Sequence, residues 1–212
     1  MITLALDTAT ARASVALGEP GERVPEAVIA NRNDLSRSLG SVVSNLCRDR
    51  GVEPAGIEAV VVADGPGSFT GLRIGIAFAK GLCAVSGAPL HTAPSLMGAA
   101  LAASGTGTVV AEYDALRGDV YRAVFAFSVT GSGLEVATVM PPEVVPAPLP
   151  PPVREYARAD ERNASAAALL LLLNVPGGAV RIDDAGTWEP NYGRLAEAEA
   201  RRRARNAATA RS

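Results

Sequence analysis

Apolar and polar positions along the chain switch between two periods, and the switches lay out the elements. Ile2–Asp7 alternates at a period of two, with Leu4 and Leu6 on one face. The polar run DTATARA (7–13) interrupts the alternation and Ser14–Leu17 resumes it, which predicts two strands joined by a turn. Val24–Ala30 predicts a third strand. From Asn33 or Asp34, either of which can cap, the period lengthens: Leu35, Leu39, Val42, Val43 and Leu46 share one face of a helix running to about Arg50, and Gly51 stops it. The unbroken apolar run Ile57–Ala63 predicts a buried strand; a glycine-rich turn and a second helix follow it. Pro89–Thr92 reads as a short strand, Pro94–Ala103 as a helix, and Thr108–Asp114 and Val120–Phe127 as strands around the turn ALRGD (115–119). Pro141–Pro152 holds seven prolines in twelve residues and predicts an extended connector. Residues 153–174 read as helical, GGAVRI (177–182) as a turn into a short strand, and the charged stretch from Leu195 onward as a fraying helix.

The stretch Ala63–Leu82, ADGPGSFTGLRIGIAFAKGL, says most about function. Gly65 and Gly67 permit a tight turn, and Ser68 or Thr70 can accept a hydrogen bond from the first turn of the helix. Gly71, Gly75, Ala79 and Cys83 recur every four residues as a stripe of small side chains. Leu72, Ile76, Phe78, Leu82 and Val85 cover much of the remaining surface. A helix apolar on every face must be buried on every face. One side can pack on its own sheet; the other side of this helix meets either the rest of the same lobe or another protein.

Composition narrows the field. The chain has 212 residues, 48% apolar but only 4% aromatic, so its core is built of Val, Leu, Ile and Ala. A net charge of −2 argues against long-range capture of nucleic acid by the body of the chain. Cys47 and Cys83 lie in predicted helices and read as small buried hydrophobes. Met1 leads straight into a strand with no signal-peptide pattern, and Ala164–Leu173 is about half the ~20 residues a membrane span needs. A soluble, cytoplasmic protein is expected.

The motif GPGSFTGLRIG resembles, almost residue for residue, that of the TsaB (YeaZ) family, the non-catalytic subunit of the bacterial machinery that makes threonylcarbamoyladenosine in tRNA. The resemblance extends to LALDTAT (4–10), the helix before the motif, VVAEYDALRGDVYRAVF (109–125) and the closing EPNYGR (189–194), where Tyr192 is expected to pack back on the first lobe. It implies an α/β fold of the two-lobed actin, hexokinase and Hsp70 ATPase type, degenerate in its own active site, with mixed sheets flanked by helices. The two strand–turn–strand units whose first strands end at Asp7 and Asp114 would open the two lobes. We expect an N-terminal lobe over 1–102, a smaller lobe over 103–190 and a C-terminal helix and tail over 191–212. The family pattern is broken at LSRSLGS (35–41), where Leu35, Gly40 and Ser41 replace the usual residues, and by the loss of a Gly-Asp-Gly turn in the second lobe.

The resemblance also implies partners: a catalytic TsaD-type subunit, a TsaE-type ATPase subunit in the same assembly, a homodimer when alone, and tRNA only through the complex. Its partner-binding face would comprise Leu35, Leu39, Val42, Val43 and Leu46 on the first helix with Gly71, Leu72, Ile74, Gly75, Phe78 and Ala79 on the second. No catalytic residue, metal or cofactor is expected. Asp7, Thr8 and Thr10 stand where the superfamily's first phosphate-binding turn would lie, but DTATA has no glycine to let backbone N–H groups near a phosphate. Asp7 and Asp114 either hold Mg²⁺ through water or simply satisfy turns. The first option is the alternative function, a nucleotide-dependent phosphotransferase or ATPase. GGAV (177–180) is a remnant adenosine loop or a plain turn. The single histidine, His91, cannot complete a metal site of the usual N/S type, and Lys80 is spaced wrongly for a phosphate lysine and is expected to solvate its ammonium at the helix rim. Arg201, Arg202, Arg203 and Arg205 form a basic run that is either a solvated helix end or a tRNA contact.

Overall fold

A computed structural model describes residues 1–115, 118–146, 156–190 and 192. Two mixed sheets organise it. The first holds six strands in the order β10-β5-β4-β1-β2-β3, with β1 Thr3–Asp7, β2 Ala13–Gly18, β3 Ala27–Ile29, β4 Ala59–Ala63, β5 Leu90–Ala93 and β10 Val180–Ile182. β1 pairs parallel with β4 and antiparallel with β2, so β1 and β4 are central and every residue in them is buried, which is why AVVVA reads as a continuous apolar run. Helices α1 (Leu35–Arg50) and α2 (Phe69–Ser86) pack on one face of this sheet, α1 over β2 and β3, α2 over β4, β1 and β5. The shorter α4 (Ala166–Leu172) covers β1, β2 and β4 on the face away from them.

The second sheet has the order β8-β7-β6-β9, with β6 Gly107–Asp114, β7 Asp119–Thr130, β8 Gly133–Pro146 and β9 Ala157–Ala159. Helix α3 (Ser95–Ser104) packs on β6, β7 and β9 and against α4, so it ties this sheet to the first. Within the core, Tyr113, Phe125 and Leu169 are fully buried along this seam.

Most expected elements are present with small shifts in their ends. Gly51 closes α1 in the left-handed region (φ 67°), and its N–H donates to the Arg48 carbonyl. Asp34 sits at the start of α1 without a side-chain capping bond, whereas the Ser68 hydroxyl accepts from the Gly71 N–H at 3.2 Å and caps α2. Two readings need correction. Residues 153–174 are not one helix: β9 and a 3₁₀ turn (Glu161–Asn163) precede α4, and Asp160 caps that turn by accepting from the Arg162 N–H. The proline-rich stretch is not a connector throughout, because 141–146 belong to β8. Pro141 and Pro142 fall between Met140, opposite Val124, and Glu143, opposite Arg122, so two residues face one and the pair occupies a bulge. β8 is an edge strand, where a missing N–H costs no ladder bond. The remainder of that stretch and the basic run at 201–205 lie outside the described residues.

One knot holds α4 against the first sheet. The Glu26 carboxylate accepts from the Ser165 hydroxyl (2.9 Å) and the Ala167 N–H (3.3 Å), and pairs with Arg12, which also donates to the Ala164 carbonyl (2.7 Å). Ser14 accepts from the Ala166 N–H at 2.9 Å. Glu26→Ala removes the ion pair of Arg12 and leaves two donors at the start of α4, the Ser165 hydroxyl and the Ala167 N–H, unpartnered. Amide exchange across 166–172 is then expected to speed up by at least about tenfold while β6–β8 keep their protection; unchanged exchange at α4 would contradict this role.

Candidate functional site

The β1–β2 turn and the start of α2 are built around missing β-carbons. A Cβ on Gly71 would strike the Thr8 carbonyl oxygen, one on Gly75 the Thr8 hydroxyl, and one on Gly67 the Ala9 carbonyl oxygen. The Ser68 N–H donates to that same Ala9 carbonyl at 2.6 Å. The glycines therefore let the DTAT turn lie directly on the first turns of α2. Gly71, Leu72, Gly75 and Ala79 are buried in the chain's own core, as are Leu35, Leu39 and Val43 of α1. The stripe of small residues thus faces inward, not toward a partner, and of the expected docking residues only Val42, Leu46, Ile74 and Phe78 reach the surface, half-buried.

The same turn buries the candidate phosphate-binding residues. Asp7 and Thr8 have no exposed surface and Thr10 very little. The Asp7 Oδ1 accepts from the Ala9 N–H at 3.0 Å; its Oδ2 and the Thr8 hydroxyl have no hydrogen-bond partner among the described residues. Burial pushes the Asp7 carboxyl up to about 6, against the pull of the Ala9 bond and with a further push from Glu26. Thr10 closes on its own turn, donating to the Arg12 carbonyl (3.1 Å) and accepting from the Arg12 N–H (3.2 Å). Asp114 stands on the second sheet. It lies exposed at the end of β6, its N–H donating to Glu161, while its neighbour Tyr113 points inward and donates to the Ser95 carbonyl. Gly177 and Gly178 pack against the backbone carbonyls of Val136 and Leu172, which makes GGAV a structural turn. The β4–α2 turn is fixed from the other side: Ser95 accepts from the Gly65 N–H (3.1 Å) and donates its own N–H to the Gly65 carbonyl (2.9 Å) across the cis Gly65–Pro66 peptide.

The outer side of α2 is the remaining feature. This helix has a mean hydropathy of 1.3, yet only 33% of it is buried inside the chain. At 3.6 residues per turn, Thr70, Arg73, Ala77, Gly81 and Ala84 share one face, and all are exposed; Val85 beside them is 84% exposed. Arg37, Ser41, Ser44 and Arg48 form the corresponding exposed face of α1, which approaches α2 where Gly40 meets the Phe78 ring. The segment 183–190 flanks α2 on its other side. Lys80 does not solvate its ammonium freely: its Nζ donates to the Trp188 carbonyl at 2.6 Å and lies over the indole ring. Tyr192 packs on Phe69 with ring centroids 4.8 Å apart, as expected of a residue returning to the first lobe, and the Arg73 guanidinium lies over the Phe69 ring, 5.5 Å from its centroid. Periodicity pointed to Leu, Val and Gly positions and missed Ala77, Gly81 and Ala84; their 4- and 3-residue spacing was the available signal.

Comparison with known proteins adds the decisive observation. The family model described as TsaD, tRNA N6-adenosine threonylcarbamoyltransferase, matches residues 21–146. The TsaB protein of Escherichia coli, named for tRNA threonylcarbamoyladenosine biosynthesis, is 36% identical over 150 residues, 68% of this chain and 64% of that protein. The chain belongs to this family, among its TsaB (YeaZ) members. TsaB of Bacillus subtilis is 32% identical over 130 residues, 60% of this chain and 56% of its own. The chain thus spans rather more than half the length of these curated relatives. The solved structure of YeaZ from Pseudomonas aeruginosa superposes with a TM-score of 0.65 at 26% identity, covering 82% of this chain and 90% of that one. The fold is accordingly the mixed α/β fold of the actin and Hsp70 ATPase type, with two mixed sheets flanked by helices. The chain is also 31% identical over 116 residues, 47% of its length and 35% of that protein, to the tRNA N6-adenosine threonylcarbamoyltransferase of Anaeromyxobacter dehalogenans, so the site rather than the fold must separate docking from catalysis.

Proposed function

We propose that this chain is a non-catalytic subunit in N6-threonylcarbamoylation of adenosine in tRNA, acting in the cytoplasm by docking on a TsaD-type catalytic subunit and stabilising its competent conformer. The observation that carries the reading is the pairing of a sealed pocket with an open helix face. Asp7, where the superfamily would approach a nucleotide, is buried beneath its own turn and α4, whereas Asp114 is exposed at the end of β6. The outer face of α1 and α2 offers Gly40, Ser41, Ser44, Ala77, Gly81 and Ala84, small residues over which a second helix can come close, with Phe69, Ile74, Phe78 and Val85 supplying apolar area. A TsaE-type ATPase joins the same assembly, and tRNA reaches this chain only through it. A second copy can occupy the face when the catalytic subunit is absent.

The test replaces the small residues by long neutral ones. Ala77→Gln with Gly81→Gln fills the face without touching the core, since a Cβ at Gly81 meets no atom within 4 Å. The variant is expected to keep its melting temperature and to lose at least about a hundredfold in affinity for the TsaD-type subunit, measured by calorimetry. Unchanged affinity would place the interface elsewhere.

A further inference from the structure

We infer that the outer α1–α2 face is built to select a partner with an acidic helical face over a second copy of this chain; the inference deepens the docking reading above and rests on it. The face carries Arg37, Arg48 and Arg73, all exposed. None of the three takes part in an ion pair among the described residues: Arg48 donates to Asn45 and Arg73 lies over the Phe69 ring. Helix α2 contains no aspartate or glutamate. Helix α1 contains one, Asp49, which lies about 100° round the helix from Arg48. The other cations of the two helices are committed within the chain, Arg50 to Glu22 at 2.7 Å and Lys80 to the Trp188 carbonyl. Acidic residues flank the two helices: Asp34 and Asp64 stand just before α1 and α2, Glu53 just after α1, and Asp183, Asp184 and Glu189 in the segment beside α2, where Asp184 is held by Thr187 and the Gly186 N–H. A chain of net charge −2 therefore carries on this face three arginines that form no ion pair among the described residues.

The consequence follows from symmetry. A two-fold homodimer must present the same patch on both sides, so it sets three arginines against three. Like charges brought together across an interface disfavour that pairing, whereas a partner with carboxylates at the matching positions gains both affinity and rate of encounter. The small residues between the arginines allow close approach in either case. Discrimination thus falls to the charges.

The test compares the wild-type chain with the triple variant Arg37→Glu/Arg48→Glu/Arg73→Glu, each protein checked for its fold by circular dichroism. Between 50 and 500 mM salt the complex of wild-type chain and TsaD-type subunit is expected to weaken by at least about tenfold, while self-association of the wild-type chain holds or strengthens as repulsion is screened. The charge-reversed chain is expected to lose at least about thirtyfold in affinity for the TsaD-type subunit and to pair with the wild-type chain more tightly than either pairs with itself. A salt-insensitive complex, or a reversed chain that prefers neither partner, would overturn the inference. Failure of the wild-type chain to bind the TsaD-type subunit at any salt would instead overturn the docking reading, because pairing between the wild-type and reversed chains reports on the face by itself.

Discussion

Gly71→Ala is expected to destabilise the folded chain by about 3 kcal/mol, the upper end of the cost of overpacking. The added methyl would meet the Thr8 carbonyl oxygen, a backbone atom that cannot rotate away, and that carbonyl belongs to a turn held in place by the Ser68–Ala9 bond. For a chain of this size the melting temperature should fall by roughly 6–12 °C. Gly75→Leu places a larger group against the Thr8 hydroxyl and is expected to prevent folding altogether. Gly81→Ala is the control. It lies on the same helix with open space around it, and should be neutral or stabilise by up to about 1 kcal/mol through helix propensity. Thermal melts of the three variants separate an internal lock from a partner surface: equal tolerance at 71 and 81 would mean that the glycine motif does not hold the β1–β2 turn.

The second large effect is a pH dependence centred on Asp7. In the unfolded chain this carboxyl titrates at its ordinary 3.8; in the fold, burial raises it to about 6. The folded state therefore holds the proton more tightly, and stability present at low pH is lost as pH rises from about 4 to about 6. At 1.36 kcal/mol per pH unit, that loss amounts to roughly 3 kcal/mol by neutral pH. Asp7→Asn keeps an acceptor for the Ala9 N–H and removes the buried charge. The variant should be more stable than wild type by about 2 kcal/mol at pH 7.5, part of the gain being offset by the new amide donor left without a partner. Below pH 4 the advantage should vanish. Asp64, also raised to about 6 by burial, slopes the same way in both proteins, so the difference between them isolates Asp7. Urea titrations across pH 4–8 measure it, and a variant less stable than wild type at pH 7.5 would show that the ionised carboxylate is satisfied in the fold.

These two effects mark where sequence and structure part. The strands β1, β2 and β4 and the helices α1, α2 and α3 are legible because their apolar period is unbroken and glycine or serine punctuates their ends. β8 is illegible because its prolines read as a connector, and only pairing with β7 at an edge, through a bulge, makes a strand of them. The 157–182 region is likewise a set of short pieces whose order depends on long-range partners: β9 on β6, α4 on the Glu26 knot, β10 on β5. For the site, the glycine motif is conspicuous in sequence but its direction is not. Four-residue spacing fits a stripe facing a neighbour as well as one facing the chain's own turn, and the deciding atoms, the Thr8 carbonyl and hydroxyl, come from residues more than sixty positions earlier. The outward face, by contrast, consists of Ala77, Gly81, Ala84 and three arginines that no hydropathy pattern singles out.

One reconstituted assay bears most directly on the division between a sealed pocket and an open face: formation of N6-threonylcarbamoyladenosine in tRNA by a TsaD-type subunit, supplied with this chain or its variants. The TsaD-type subunit alone should give little product, wild-type chain and Asp7→Asn should restore it equally, and Ala77→Gln/Gly81→Gln should not. Full product with the face variant, or none with a folded Asp7→Asn chain that still binds its partner, would contradict the account.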